Sequence, residues 1–510
     1  MSQAANGASS GTQKAARKKH PRGLWVLFIA EMWERYAFYT MQGILVLYLI
    51  ERTTSGFPPG PGFGWDKPDA NKFCGWFMGL TYLTPIFGGW LADKLLGTHR
   101  SLVLGGIIIA IGQFFMAGAE FFGFGDLGIV NWTSAPVVFS MFAGGLLLVI
   151  IGCGFFKPCA AVMVGQLYSL DDPRRDSAYT IFYMGINVGA FIAPLVAGVL
   201  YKNIGWHWAF ASGGVGMLLG LTVYQVLRPF YLKGIGLPPH HRPEHEEDHK
   251  PTPEQIKQAE IDEHERTRPL TRVDWDRIIV ILVLTMFAGV YWVAMKQQAT
   301  SLTVFAEEST NRTIPALKTV LPETWYQQMN PFPTPWYQSV NPLAIILFAP
   351  VFAWLWGWLD RRKMQPSLPV KFGIGVLLVG IAYIAMIFGA IQAARQGLAG
   401  PEWLMIMYLI GTWGELCVSP VGLSMVTKLS PVRCQSMMMG LYFGILFFAN
   451  TGAGYVAAFG DSIAARGVDA KSLLPGQGDF FLILTVVPIL VGVLVLVLSP
   501  KIKRMMHGMR

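Results

Sequence analysis

At 510 residues, with 53% hydrophobic and only 14% charged positions and a mean hydropathy of +0.43, the chain is too apolar for an ordinary water-soluble protein. Long apolar runs recur along nearly its whole length, the pattern of a polytopic all-α membrane protein. Its net charge of +9 is no sign of a nucleic-acid surface, because clusters such as Arg361-Arg362-Lys363 sit where cytoplasmic anchors of a membrane protein belong.

Twelve spans are predicted, at about 23–50, 72–93, 101–122, 136–158, 177–201, 211–231, 278–303, 341–359, 369–392, 402–424, 434–458 and 479–499. An even count puts both termini on one side. Most of the 40 Lys and Arg fall in the two tails and the even-numbered loops, which makes that side the cytoplasm. The expected division is a cytoplasmic tail at 1–22, a six-helix bundle at 23–233, a cytoplasmic linker at 234–276, a second six-helix bundle at 277–500 and a tail at 501–510. The first tail is small, polar and basic, and the apolar run after it is a full-length span with no cleavage site, so no cleaved leader is expected.

The first span carries Glu31-Met32-Trp33-Glu34-Arg35-Tyr36-Ala37-Phe38-Tyr39. Ionisable groups at that depth are costly, and by default they face a bundle interior or a wet pathway. Helical spacing puts Glu31, Glu34, Arg35, Phe38 and Gln42 on one face. A self-neutralising pair that only ties helices together is the alternative, although one Arg cannot neutralise two carboxylates.

Farther along, the fourth span reads Gly152-x4-Lys157-Pro158 and then Met163-Val164-x2-Leu167. The tenth reads Gly414-x4-Ser419-Pro420 and then Met425-Val426-x2-Leu429. The ends of the second and eighth spans, Gly-Trp-Leu-Ala-Asp93-Lys94 and Gly-Trp-Leu-Asp360-Arg361, also correspond. A six-plus-six repeat is the signature of carriers that rock two bundles about a midplane site. Between the halves, the Pro-, Glu- and His-rich linker predicts solvated chain, with a short surface helix from Thr252-Pro253-Glu254 to about Arg266.

Beyond the first-span cluster, the ionisable residues well inside spans are Lys157, Lys296 and Glu415. Lys157 precedes a proline that frees backbone carbonyls towards a cavity. Glu415 lies about one turn from the position equivalent to Lys157, so an acid and a base would face each other if the halves do. A carboxylate that loses a basic partner in a dry site takes up a proton and releases it when the partner returns. Proton coupling and static salt bridges are the two readings of this set. No metal-ligand spacing is found among the five cysteines, and the linker histidines fit a soluble segment. A membrane-embedded enzyme would need a nucleophile with a base or a metal cluster, and neither pattern is found, so no enzymatic activity or cofactor is expected. A channel would not require paired halves with opposed charges.

The first-span string resembles the E-x-x-E-R-F-x-Y-Y motif of the proton-dependent oligopeptide transporters, within the major facilitator superfamily. Tyr36 and Phe38 each exchange one aromatic for another. Gly88-Gly89-x2-Ala92-Asp93-Lys94-x2-Gly97, Gly152-x-Gly154-x2-Lys157-Pro158, Phe182-Tyr183-Met184-Gly185-Ile186-Asn187-Val188-Gly189, Asn341-Pro342 and Glu415-x3-Ser419-Pro420-x-Gly422-Leu423-Ser424 are similar to further signatures of that family. The resemblance implies an inner-membrane symporter, with both termini cytoplasmic, that imports di- and tripeptides with protons. It implies Arg35 and Lys157 as receivers of the peptide carboxylate, and Glu415 with Asn187 and Asn341 as holders of its amino group. Tyr39 and Tyr82 would bond the peptide backbone, while Glu31, Glu34, Arg35, Lys157 and Glu415 would handle the proton. The alternative within the family is a carrier of nitrate or another small anion. Keeping Glu31, Glu34, Lys157 and Glu415 together favours peptides, since an anion needs no amino-group acceptor.

Three positions depart from the family pattern. Gln42 stands where an Arg is frequent, and Trp292-x3-Lys296-Gln297-Gln298 has Lys where an acid is usual. These two positions form an outer ion pair in many bacterial relatives, so the gate here is expected to close differently. A tryptophan expected in the eleventh span corresponds to Tyr442.

Overall fold

A computed structural model describes residues 19–52, 60–119, 129–169, 172, 174–237, 268–319, 322–465 and 473–508. Its long helices are α1 (Gly23–Ile50), α2 (Lys67–Leu91), α3 (Gly97–Ala119), α4 (Pro136–Gln166), α5 (Arg175–Ile204), α6 (Trp206–Tyr231), α7 (Arg272–Met295), α8 (Val340–Arg361), α9 (Leu368–Gln396), α10 (Glu402–Leu429), α11 (Gln435–Ala465) and α12 (Gly478–Met505). Ten helical runs among the described residues are apolar and long enough to cross a membrane. One of them, Lys67–Ala119, holds both α2 and α3, and the 28-residue α1 completes the twelve. The surface helix expected up to about Arg266 lies outside the described residues.

Local chemistry fixes where these helices start and stop. α2 passes through a π-turn at Ala92–Leu96 and breaks at Gly97, whose φ of 76° suits a residue without Cβ. α5 and α6 are separated by Gly205 alone, at φ 112° and ψ 166°, so the chain reverses in one residue that only glycine tolerates. After the linker, α7 opens with a capping box. The Asp274 amide donates to Thr271 Oγ1 at 3.3 Å, and the Thr271 amide donates to Asp274 Oδ2 at 2.9 Å. Arg268 pairs with the same carboxylate at 3.0 Å.

The seventh span differs from the continuous helix expected over 278–303. α7 ends at Met295 and tightens into a 3-10 turn, Lys296–Ala299. It then breaks at Thr300 (φ −131°, ψ −107°) and resumes as a short helix, Ser301–Glu308. The cause is the side chain of Gln297, which is fully buried. Its Nε2 donates to Ala453 O on α11 at 3.1 Å, and its Oε1 accepts from Ser301 Oγ at 2.6 Å. Side-chain partners of this kind let a span break at membrane depth.

Among the described residues the apolar core falls into two large clusters, with a small third one at Tyr326, Met329 and Phe332. One is built from α1–α6, with Ala299 and Val304 joining it, and the other from α7–α12. The halves meet at the end away from the termini, here called the far side. There Lys67 pairs with Glu308 at 2.5 Å, Asn71 Nδ2 donates to Asp461 at 2.7 Å, and Ser339 Oγ donates to Phe191 O at 2.8 Å. Trp336 Nε1 donates to Leu195 O at 3.1 Å, and Lys202 donates to Pro331 O. α2 and α11 approach so closely that a Cβ on Gly75 would stand 2.8 Å from Gly454 Cα and 3.0 Å from Asn450 O.

That approach generates a prediction. Gly75→Val adds atoms where backbone already stands, and overpacking of this kind costs about 1–3 kcal/mol, which would shift the far-side equilibrium by roughly tenfold. A cysteine at Asn450 should then react faster with a membrane-impermeant maleimide than it does beside Gly75. Equal labelling rates would show that the glycine contact does not hold the far side shut.

Candidate functional site

α1 brings its charges to one buried cluster. Arg35 Nε lies 3.1 Å from Glu31 Oε1, and Arg35 Nη2 contacts Glu34 Oε2. The side chains of Glu31, Glu34 and Arg35 are all at most 8% exposed. Cys153 Sγ on α4 adds a weak contact to Glu34 Oε1 at 3.7 Å. Glu31 Oε2 is buried and has no hydrogen-bond partner. Two carboxylates therefore share one guanidinium, and one carboxylate oxygen is left open.

The nearest further cation is Lys157, just ahead of Pro158, which lies inside the continuous α4. Its ammonium donates to Thr81 O at 3.3 Å and lies 4.6 Å from the Phe38 ring centroid and 4.5 Å from that of Tyr82. Lys296 approaches Tyr82 from the other bundle, at 5.8 Å, and stands 5.3 Å from the Trp292 centroid. The Tyr82 ring is thus approached by two ammonium groups, which its π-face attracts.

In the second bundle, Asn341 on α8 holds Glu415 on α10. Its Nδ2 donates to Glu415 Oε2 at 3.0 Å and to Thr412 Oγ1 at 2.8 Å, while Thr412 Oγ1 donates to Tyr408 O at 2.6 Å. This chain orients the carboxylate, and its partial exposure leaves it facing open space.

That space is a central cavity of about 200 Å³ between the bundles. It is smaller than the roughly 300–1,000 Å³ of sites for drug-sized ligands, which limits the occupant to a small molecule. Tyr39, Gln42, Tyr82 and Asn187 line it from the first half, and Trp292, Lys296, Asn341 and Glu415 from the second. Glu31, Glu34, Arg35 and Lys157 are not on its wall but stand behind Tyr39 and Tyr82. Tyr442 is also off the wall, buried in the core of the second half with its hydroxyl against Gly422. Asn187 is 4% exposed and donates to Tyr183 O at 2.9 Å.

Sequence reasoning did not single out Tyr183, Gln298, Gln338 or Asn450, which also line the cavity. Their signal was present, because each is a polar or aromatic side chain inside or beside an apolar span. Spacing alone does not say which face of a span looks inward.

The α1 cluster generates a stability prediction. Removing one partner of a buried charge set costs about 3–5 kcal/mol, since the others are left unpaired. Arg35→Ala should therefore lower the thermal unfolding midpoint of the purified protein far more than Glu31→Gln. The triple variant Glu31→Gln, Glu34→Gln, Arg35→Gln should recover much of the loss. Equal midpoints for Arg35→Ala and wild type would mean that the cluster is not held by mutual neutralisation.

Comparison with known proteins places this geometry. A sequence profile described as the Major Facilitator Superfamily matches residues 27–455. A peptide transporter of Yersinia enterocolitica, YePEPT, is 33% identical over an alignment covering 96% of each chain. A di-/tripeptide transporter of Lactococcus lactis is 31% identical, covering 96% of this chain and 97% of the relative. Among solved structures, a POT peptide transporter in complex with alafosfalin superposes with a TM-score of 0.76 at 30% identity, covering 97% of both chains.

Proposed function

The chain belongs to the proton-dependent oligopeptide transporters of the major facilitator superfamily, and from that premise we propose that it is a proton-coupled symporter importing di- and tripeptides by alternating access. The observation that carries this reading is one small cavity with Glu415, oriented by Asn341, on its wall and a basic group close behind that wall. Lys157, 4.5 Å from the Tyr82 ring, and Arg35 form that basic group from the first bundle, and a turn of the Tyr82 ring would open it to the cavity. A peptide zwitterion has the complementary pattern, a carboxylate at one end and an ammonium at the other.

On this reading the peptide amino group binds Glu415, with Asn341 and Asn187 beside it, and Tyr39 and Tyr82 meet the peptide backbone. The carboxylate reaches Lys157 first, past the edge of Tyr82, and draws the Arg35 guanidinium towards it. Glu31 then loses its one ion-pair contact among the described residues, and its Oε2, which has no hydrogen-bond partner among them, takes up the proton from the outer side. When the bundles rock and the peptide leaves, Arg35 returns to Glu31 and the proton goes to the cytoplasm. With the chain in the inner membrane and both termini in the cytoplasm, as the Lys and Arg distribution supports, the far-side contacts would shut the cavity from outside. The Gly234–Asp276 linker joins the bundles that move.

In this arrangement Gln42 and Lys296 carry no mutual ion pair. The outer side is closed instead by Lys67 with Glu308, Asn71 with Asp461 and the Gly75–Gly454 approach. Lys296 is then free to act on the substrate, and its ammonium favours peptides bearing an extra carboxylate.

Proteoliposomes test the assignment. An inward acid gradient should concentrate dialanine, and nitrate should not compete. Competition by nitrate, with no dialanine accumulation, would replace peptides by a small anion. Lys157→Ala should abolish gradient-driven accumulation while sparing the fold. Glu415→Gln gives up a charge-assisted contact of about 1.5–3 kcal/mol, so it should raise KM roughly ten- to hundredfold. In a second comparison, Lys296→Glu should move the uptake ratio of alanyl-glutamate to alanyl-lysine towards the basic peptide. An unchanged ratio would place residue 296 out of reach of substrate side chains.

A further inference from the structure

A second cavity, of about 750 Å³, opens at the terminal side of the second bundle. Its walls come from the end of α8, the start of α9, the lower half of α10 and the end of α12, and it shares no lining residue with the central cavity. Lys363, Lys371, Lys428 and Lys503 line it, against one carboxylate among the described residues, Asp360. Four cations facing a single anion leave the hollow strongly positive.

Lys371 sets this cavity apart from a scatter of surface lysines. It is only 8% exposed, and its ammonium makes no hydrogen bond or ion pair among the described residues. Its partner is the Trp356 ring, 4.6 Å from the centroid. A buried ammonium is costly unless something compensates it. The N-terminus of the 29-residue α9 opens at the same place, through Ser367 and Leu368, and the Ser367 side chain does not cap it. A helix start carries partial positive charge and backbone donors, so it adds to the lysines in attracting an anion.

The depth of the cavity is marked by aromatic residues. Trp354, Trp356 and Trp358 occupy the last turns of α8. Trp354 is 61% exposed and stacks on Trp358 with centroids 6.3 Å apart, and Arg362 lies 4.0 Å over the Trp358 ring. Tryptophan with flanking Arg and Lys is the signature of the headgroup level of a bilayer. Basic pockets between helices on the cytoplasmic side suit lipid phosphate, because that leaflet carries the anionic lipids.

We propose that this cavity binds the phosphate of an anionic phospholipid headgroup, with Lys371 as the buried contact and Lys363, Lys428 and Lys503 around the rim. The volume exceeds what a bare ion needs, and the tryptophan girdle places the opening where a headgroup lies. The acyl chains would then run along the exposed apolar face of α12, at Leu490, Val493, Leu494 and Val497.

The test uses the full chain in detergent without peptide, so that it stands apart from the transport assignment. Native mass spectrometry after incubation with equimolar phosphatidylglycerol and phosphatidylcholine of matched chains should show preferential retention of phosphatidylglycerol. Lys371→Gln should lower that retention about fivefold, the scale of one basic contact to an anionic headgroup. If Lys371→Gln does not fold, the rim pair Lys428→Gln with Lys503→Gln gives the same readout, and retained phosphatidylcholine serves as the internal control. Equal retention of the two lipids by the wild type would overturn the proposal, as would undiminished phosphatidylglycerol in the folded variants. Inorganic phosphate distinguishes the sources. Lys371-dependent binding of phosphate without lipid preference would assign the cavity to a soluble anion and end the lipid reading.

Discussion

One guanidinium serving two carboxylates inside an apolar helix is the constraint on which the rest of this structure depends. Glu31, Glu34 and Arg35 lie within a single turn or so of α1, all nearly inaccessible to solvent. The set is one positive charge short, and a net charge at that depth is expensive. The deficit fixes what the neighbouring helices must supply. α4 brings Lys157 to the same region, one residue before its internal Pro158, and the Phe38 ring of α1 lies within 5.6 Å of Arg35 and 4.6 Å of Lys157. A group so placed is stable only while its partners stay, which is the property a proton carrier needs.

The second half answers with a different chemistry. Glu415 is held by neutral donors, Asn341 and the Thr412 chain behind it, and not by a neighbouring guanidinium. A carboxylate held by a neutral amide keeps its charge available to an incoming cation, whereas one tied to Arg35 does not. The two halves derive from related patterns around Pro158 and Pro420, yet the position matching Lys157 is Ser419. That difference leaves a lysine on one bundle and, one turn from the matching position, Glu415 on the other. On the proposed reading, a ligand reaching both groups would couple the bundles.

Much of this could be read from residues alone. The α1 charges, the prolines inside α4 and α10 and the six-plus-six pattern follow from the residues and their spacing, whereas the grouping of Asn341 with Glu415 came only from the family resemblance. Three features could not be read. The break in the seventh span depends on Gln297 reaching Ala453 on α11, a contact between residues 156 positions apart that leaves no periodic trace. The separation between cavity wall and charge cluster depends on which way Tyr39 and Tyr82 turn their rings. The closure of the far side by Gly75 against Gly454 was hidden because a glycine in an apolar span reads equally well as packing within one bundle. Tyr442 shows the same limit from the other direction, since its match to an expected tryptophan suggested a gate residue while its side chain lies in the core of its own half.

The exchange of charge at positions 42 and 296 follows from this separation of tasks. An ion pair across the outer gate would tie the bundles together through the very wall that the substrate touches. Here that work is done farther out, by Lys67 with Glu308 and Asn71 with Asp461, and by close backbone approach between α2 and α11. Moving the latch away from the wall leaves Lys296 in the cavity as a cation beside Tyr82, the ring that Lys157 also approaches. Two ammonium groups sharing one aromatic ring repel each other, and an anionic group entering near them relieves that repulsion. On the proposed reading the substrate carboxylate is that group, and its binding would favour the approach of the two halves.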